Sequence, residues 1–568
     1  MKKLILPLVA IMSMIFAACS PEPSDSVVAA QKTVTQQDTT TPIQATGNAW
    51  YFIGYDLSEF KNQNVKIDFS CEMKVTNNTD SDINLKWQVN ESQTSYPLVA
   101  EHTFPAGTSD WTPVASSEEQ KNTSISLGES NQLYLSTYDL DTTKISIELR
   151  NVQYTVHYYK KADQVNWLDE SVPSLKETYA DIFDSMGLAC EYSSWLGVNE
   201  LSVKSVRDGL AKHVDSISMG NEFKPDSFFG YQWSGAEKTM VDFTASNGET
   251  IKVPKDLQFT TADNCLAACK EAGLKMRGHV LIWHAQTPDN FFAENYVANI
   301  QDNLITNKVS PEVMNARMEW YIKTILEHVA EWESKNNDGE HIIWAWDVIN
   351  ETVADDADDS NWVRGSTAET KNRPPASAGD GACGSRWYQV YGDSSFVIDA
   401  FRFANAYAPA DVKLCYNDYN EYMPNKTEGI IKLIQAVKAG SKKTINGKHV
   451  APRIDVMGLQ SHVGTQWPGV SSYEEALKKY LKLVDCHVTE FDVSATTANE
   501  SANSYAEYFK MLKQYGKKYS GSHRITNVTI WGINNKSSWI YKDNVKYPLL
   551  FDNFETTKTF WAVINTAK

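Results

Sequence analysis

Two glutamates 139 positions apart, Glu351 and Glu490, each close an apolar run: Trp346-Asp347-Val348-Ile349-Asn350-Glu351 and Thr489-Glu490-Phe491-Asp492. Two carboxyl groups facing each other across a cleft suit the hydrolysis of an acetal. One supplies a proton to the leaving oxygen, and the other supplies an electron pair at the anomeric carbon. If one attacks the carbon directly, the pair must sit about 5 to 5.5 Å apart, and configuration is retained. A single Glu after a strand is more often a helix-start residue favoured by the dipole. The pair therefore gains meaning only from its surroundings.

Those surroundings are polar and aromatic. Other apolar runs lead into Asn221-Glu222-Phe223-Lys224, His279 with Trp283 and His284, Asn417-Asp418-Tyr419-Asn420 and Gln460-Ser461-His462. A last run, starting near Val528, leads through Trp531 to Trp539. His279 and His284 are five residues apart on one strand and point to opposite faces, so they do not read as a metal pair. No metal or cofactor is expected.

The elements that must carry these residues are visible in the periodicity. From about Leu175, strand-like runs alternate with helical patterns. The strands lie near Gly187–Cys190, Val214–Met219, Leu274–Trp283, Ile342–Ile349, Val412–Tyr416, Ile454–Leu459, His487–Phe491 and Val528–Ile533. Helical stretches such as Arg317–Trp332, Glu428–Ala439 and Ser504–Tyr515 lie between them. Eight βα units predict a (β/α)8 barrel, the TIM barrel, over residues 161–568, with its chemistry at the carboxyl ends of the strands.

Before the barrel the period changes to two. Ile67-Asp68-Phe69-Ser70-Cys71-Glu72-Met73-Lys74-Val75 and Ile145-Ser146-Ile147-Glu148-Leu149 alternate apolar and polar residues, with turn clusters between such runs. This predicts an all-β, jelly-roll-like sandwich over residues 47–160. Trp50, Trp87, Trp111 and Tyr138 are its candidates for stacking on sugars. Residues 19–46 are rich in Ser, Thr, Pro and Gln and read as a flexible tether. Residues 1–18 read as an export signal: Lys2 and Lys3, then an apolar run from Leu4 to Ala18, too short to span a bilayer.

Composition bounds the partners. Seventy-one acidic against 53 basic side chains in 568 residues leave a formal charge of −18, which argues against nucleic acid. No protein partner is predicted. The eight cysteines describe no disulfide framework, and Cys265 and Cys269 read as buried thiols.

Phe16-Ala17-Ala18-Cys19 resembles a bacterial lipobox, in which the cysteine is lipidated and becomes the new N-terminus. By that resemblance Cys19 anchors an exported protein to the outer membrane or cell surface; plain secretion is the alternative. The sandwich, from Gly47-Asn48-Ala49-Trp50-Tyr51 to Leu149-Arg150-Asn151-Val152-Gln153-Tyr154, resembles carbohydrate-binding modules of families 4 and 22. In the barrel, Gly278-His279-Val280-Leu281-Ile282-Trp283-His284, Trp346–Glu351, Tyr416–Asn420, Gly458–His462 and Thr489–Asp492 occur in order. Together they resemble glycoside hydrolase family 10, the retaining endo-β-1,4-xylanases.

That resemblance implies roles. Glu351 would be the acid/base and Glu490 the nucleophile of a double displacement on xylan or xylo-oligosaccharides. Asn350 would bond the sugar 2-hydroxyl, and His462 would bridge Glu490 and Asp492. Asn221, Lys224, His279 and Gln460 would bind hydroxyls on the non-reducing side, with Trp283, Trp531 and Trp539 as walls. Two positions depart from the family pattern: Gly220 stands where a Glu is common, and Asn534-Asn535 replace Thr-Asp. The long loop Thr352–Arg386 is an addition, and Trp362 or Arg373 in it is expected to reach the leaving-group side. A related β-1,4-glucanase or mixed-specificity glycanase, or a surface glycan-binding lipoprotein without activity, are the other readings.

Overall fold

The computed structural model describes residues 27–45, 49–61, 64–91, 95–128, 131–161, 166–192, 200–230, 233, 238–359, 361–365 and 384–568. Cys19 and Arg373 lie outside these residues.

The N-terminal sandwich follows from strict alternation. Val65, Ile67, Phe69, Cys71, Met73 and Val75 of the strand Asn64–Asn77 are all buried, and the residues between them face outward. That strand pairs with Ile145–Lys161 in a six-stranded sheet. A four-stranded sheet, Tyr51–Asp56, Gln132–Ser136, Ile83–Val89 and Leu98–Phe104, packs over it through one shared core. The two closing runs of the sequence form one long strand, interrupted by a bulge between Arg150 and Gln153 where Asn151 takes φ +53°.

Two expectations are corrected here. The segment 27–45 is not a tether: Val27–Thr35 pairs along its whole length with Gln153–Lys161, and Ile43 bridges Ile147. Val34, Ile43 and Ala45 pack on the sandwich core, so β-branched residues outweigh the polar composition around them. Trp87 is no sugar platform. It is fully buried, stacked on Tyr55 at 5.8 Å and tilted on Phe69 at 4.6 Å. The Arg150 guanidinium covers the Trp111 ring at 4.4 Å, which leaves Trp50 and Tyr138 exposed.

The barrel strands are β1 Ser185–Cys190, β2 Ser216–Met219, β3 Lys275–Trp283, β4 Ile343–Asn350, β5 Lys413–Asp418, β6 Val456–Leu459, β7 Asp485–Ser494 and β8 Ile525–Ile530. Each pairs in parallel with the next. β8 returns to β1, so the sheet closes on itself. The eight strands read from the sequence are these eight. Helices pack outside, among them Pro311–Asn336, Pro424–Ala439 and Ala498–Leu512. The first and third of these begin with Ser310 and Thr497 as side-chain caps. Among the described residues no helix is long and apolar enough to cross a membrane.

One close approach fixes β4 beside β3. The buried Trp346 indole lies where a Cβ on Gly278 would meet it at 2.3 Å. Only a residue without a side chain leaves room for that ring, and the next β3 residue is His279. Gly278→Ala is expected to lower stability by about 1–3 kcal/mol through overpacking. Chemical denaturation of the two proteins measures it.

Candidate active site

Glu351 follows the last residue of β4 with φ +55°, a region that costs a non-glycine residue energy and persists only when its neighbours enforce it. Here they do. The Glu351 N–H donates to the Asn417 carbonyl (2.9 Å), and its own carbonyl accepts from Arg364 Nε (2.8 Å). The next two N–H groups, of Thr352 and Val353, donate to the Tyr416 hydroxyl at 3.1 and 3.0 Å, and that hydroxyl donates to Asp418. The side chain is held as firmly. Glu351 Oε1 accepts from Asn350 Nδ2 and Gln460 Nε2, both at 2.9 Å, and Oε2 accepts from Trp283 Nε1 at 3.0 Å.

Glu490 sits inside β7 and is buried. Its Oε1 accepts from Asn417 Nδ2 at 2.7 Å, and its Oε2 lies 3.3 Å from His462 Nε2. His462 Nδ1 is 2.9 Å from Asp492 Oδ1, and Asp492 Oδ2 accepts from Trp539 Nε1 at 2.9 Å. Asn417 Nδ2 also donates to Asn350 Oδ1 (2.9 Å), so one carboxamide ties the Asn350–Glu351 pair to Glu490. The structure brings the two glutamates to one mouth of the barrel.

Their electrostatics follow from these contacts. Burial raises the Glu490 carboxyl, yet the His462 hydrogen bond and the charges of His279 and His462 outweigh it, leaving Glu490 below the usual glutamate range. Burial works against a charged His462. The paired Asp492 and Glu490 carboxylates overcome it and lift its imidazole well above the ordinary value. Lys224 is buried and pushed down for that reason, against the opposing charges of Glu490 and Glu351.

The remaining expected residues join the same network. Lys224 Nζ lies 4.9 Å over the Trp283 ring and donates to Asn221 Oδ1 at 3.4 Å. Gln460 Nε2 reaches Asn350 Oδ1 at 3.2 Å as well as Glu351. His279 Nδ1 faces Asp347 Oδ2 at 2.9 Å, leaving Nε2 as its free nitrogen for a hydroxyl, and its ring meets Trp531 edge-on at 5.5 Å. Trp531 follows the end of β8, and Trp539, 65% exposed, offers a broad apolar face beside His462.

The family model for glycosyl hydrolase family 10 matches residues 174–566. The chain belongs to glycosyl hydrolase family 10. A bifunctional endo-1,4-beta-xylanase of Ruminococcus flavefaciens is 33% identical over 355 residues, 62% of this chain and 31% of that protein. The endo-1,4-beta-xylanase A of Butyrivibrio fibrisolvens is 30% identical over 364 residues, 62% of this chain and 75% of the relative. The chain thus spans only about a third of some curated relatives it matches. Among solved structures, the Clostridium thermocellum xylanase 10B modules CBM22-1–GH10, complexed with xylohexaose, share the fold over 95% of this chain and 94% of theirs, at TM-score 0.54 and 23% identity. A psychrophilic family 10 endo-beta-1,4-xylanase aligns over 69% of this chain and 99% of its own, at TM-score 0.50 and 25% identity.

Within this family 10 site, three groups carry more than their residue types suggested. Asn417 and Tyr416 stood in a recognised motif, but neither titrates near neutral pH, and the sequence alone gave them no task. Arg364 comes from the added loop and is fully buried, donating to the Glu351 carbonyl and to the Tyr419 hydroxyl (2.9 Å). Nothing in the sequence singled it out. Trp362, expected on the leaving-group side, is half-buried, and its Cβ lies against Gly429 of the Pro424–Ala439 helix. Asn534 and Asn535, which depart from the family pattern, accept from the N–H groups of Phe554 (2.7 Å) and Leu549 (2.9 Å) and so brace the loop that carries Trp539.

Tyr416→Phe removes the shared acceptor of two N–H groups beside Glu351. Each unpaired buried donor costs about 1–3 kcal/mol. The variant is expected to lose about 2 kcal/mol or more in denaturant unfolding.

Proposed function

We propose that the protein is a retaining endo-β-1,4-xylanase, exported and held at the bacterial cell surface through a lipidated Cys19. The observation that carries the enzymatic reading is the placement of two carboxyl groups at one barrel mouth, tied together through the Asn417 carboxamide. Glu490 is kept anionic by His462 and His279, while Glu351 is surrounded by amide and indole donors and shares a mouth with it. The anchor rests on the sequence of residues 1–19.

In the first step Glu490 Oε attacks the anomeric carbon as the bond to the leaving oxygen breaks, and Glu351 gives that oxygen its proton. The product is a glycosyl ester on Glu490 and a freed sugar hydroxyl. With its proton given to the leaving group, Glu351 then takes a proton from the incoming water. Hydroxide attack on the anomeric carbon releases the sugar and regenerates the Glu490 carboxylate. Asn350, held by Asn417 and Gln460, bonds the sugar 2-hydroxyl as positive charge develops. Trp283, Trp531 and Trp539 wall the sugars, and Lys224, His279, Asn221 and Gln460 take their hydroxyls. Trp50 and Tyr138 leave the sandwich able to hold the same polymer.

Assays on xylan, β-glucan and mannan are expected to show hydrolysis of xylan foremost; preference for glucan would favour the glucanase reading. Glu490→Gln should abolish turnover with folding intact. Glu351→Ala should slow substrates with poor leaving groups most, and azide should partly restore activated ones. The pH profile has a defined sign. Because His462 helps hold Glu490 down, removing it lets burial raise that carboxyl, so the acid limb of kcat/KM moves to higher pH in His462→Ala. An unmoved limb would detach His462 from the nucleophile.

A further inference from the structure

Position 220, next to Asn221, is a glycine. A Cβ built there would lie 3.2 Å from Cγ and 3.3 Å from Oε1 of Glu191. The space is therefore already taken, by a carboxylate that arrives from the neighbouring strand. Glu191 is the first residue after β1, and Gly220 the first after β2, joined by the Gly220 N–H donating to the Cys190 carbonyl at 2.9 Å.

We infer that Glu191 is a substrate-binding residue, whose carboxylate accepts hydroxyls of the xylose one unit beyond the cleaved residue on the non-reducing side. The inference rests on the xylanase reading above and adds a specificity determinant to it.

The geometry leads outward from the catalytic acid in steps. Glu351 accepts from the Trp283 indole, Lys224 lies over that indole, and Lys224 donates to Asn221. Asn221 Nδ2 then donates to Glu191 Oε1 at 2.8 Å, while Gln286 Nε2 donates to Asn221 Oδ1 at 3.2 Å. Glu191 is the far end of this polar floor. It is half-buried, as a group must be to meet both the protein and a ligand.

Its backbone leaves it little freedom. The Glu191 N–H donates to Glu200 Oε2 at 2.8 Å, and its carbonyl accepts from Leu201 at 3.0 Å. Glu200 itself is buried, and burial pushes its carboxyl up to about 8. Glu222 is buried too, accepting from the N–H groups of Tyr192 and Asn221 (3.1 Å). Of these three neighbouring glutamates, Glu191 is the one that is not buried. An ionised carboxylate offers acceptors only, suited to the adjacent 2- and 3-hydroxyls of a pyranose. The same charge repels a uronic acid at that place.

The test compares two activated substrates, an aryl xyloside with one sugar and an aryl xylobioside with two. Glu191→Ala, and Glu191→Gln as the variant of equal volume, should raise KM for the xylobioside about tenfold or more. The xyloside parameters should stay within twofold of the parent, and the melting temperature should not change. Returning a carboxylate from the other strand, by Gly220→Glu in the Glu191→Ala background, should recover most of the lost kcat/KM on the xylobioside. Equal losses on both substrates, or no loss on either, overturn the inference. A parent protein inactive on both overturns the xylanase reading instead.

Discussion

The site depends on the carboxamide of Asn417. Its Nδ2 donates at once to Asn350 Oδ1 and to Glu490 Oε1, and its Oδ1 accepts from Thr489 Oγ1 at 2.6 Å. Its backbone carbonyl meanwhile holds the Glu351 N–H. One residue of β5 thus sets the spacing between β4, which leads into Glu351, and β7, which carries Glu490. A primary amide can do this because it offers two donors and an acceptor in one plane without adding charge. The Gly278–Trp346 contact performs the matching task between β3 and β4, where a missing side chain rather than an added bond fixes the approach.

The second constraint is the cost of burying charge. Glu490, Asp492, Asp347 and Asp418 are all buried near the barrel mouth, and each ionised group needs a partner there. His462 serves Glu490 and Asp492 together. Arg277 and His279 serve Asp347, with Arg277 Nη2 donating at 2.6 Å. Lys426, fully buried, lies 2.9 Å from Asp418 and 2.7 Å from Asp355 of the added loop. Burial still pushes Asp418 up to about 6 against that cation. The loop is therefore fastened to the site by charge at Asp355 and by Arg364, and its described part works from behind Glu351. The Cβ of Trp362, in the same loop, lies against Gly429 of the Pro424–Ala439 helix.

Much of this was legible in the sequence because the barrel writes its strands as short apolar runs and its chemistry at their ends. All eight runs became strands, and Asn221, Lys224, His279, Trp283, Gln460, Trp531 and Trp539 gather around Glu351 and Glu490, whereas Trp362 packs beside Gly429. What stayed hidden was pairing at a distance. Glu191 and Gly220 are adjacent only because β1 and β2 are neighbours, and no local pattern shows that one has moved into the other's space. Arg364 was invisible for the same reason. The tether was misread because Ser, Thr and Gln dominate the composition there, while the decisive residues were the few β-branched ones that pair with the last sandwich strand. Trp87 shows the limit for aromatics: its residue type suggests stacking on a sugar, but does not tell whether it lies on the inner face, where the structure buries it.

The central claim is that Glu490 forms a bond to carbon. Incubating the protein with a 2-deoxy-2-fluoro xylobioside bearing a good leaving group, then digesting it and weighing the peptides, tests that claim directly. The account predicts a single fluoro-xylobiosyl ester on the peptide containing Thr489-Glu490-Phe491-Asp492. Release of the aryl group with no sugar left on the protein, or a label on any other side chain, would contradict it.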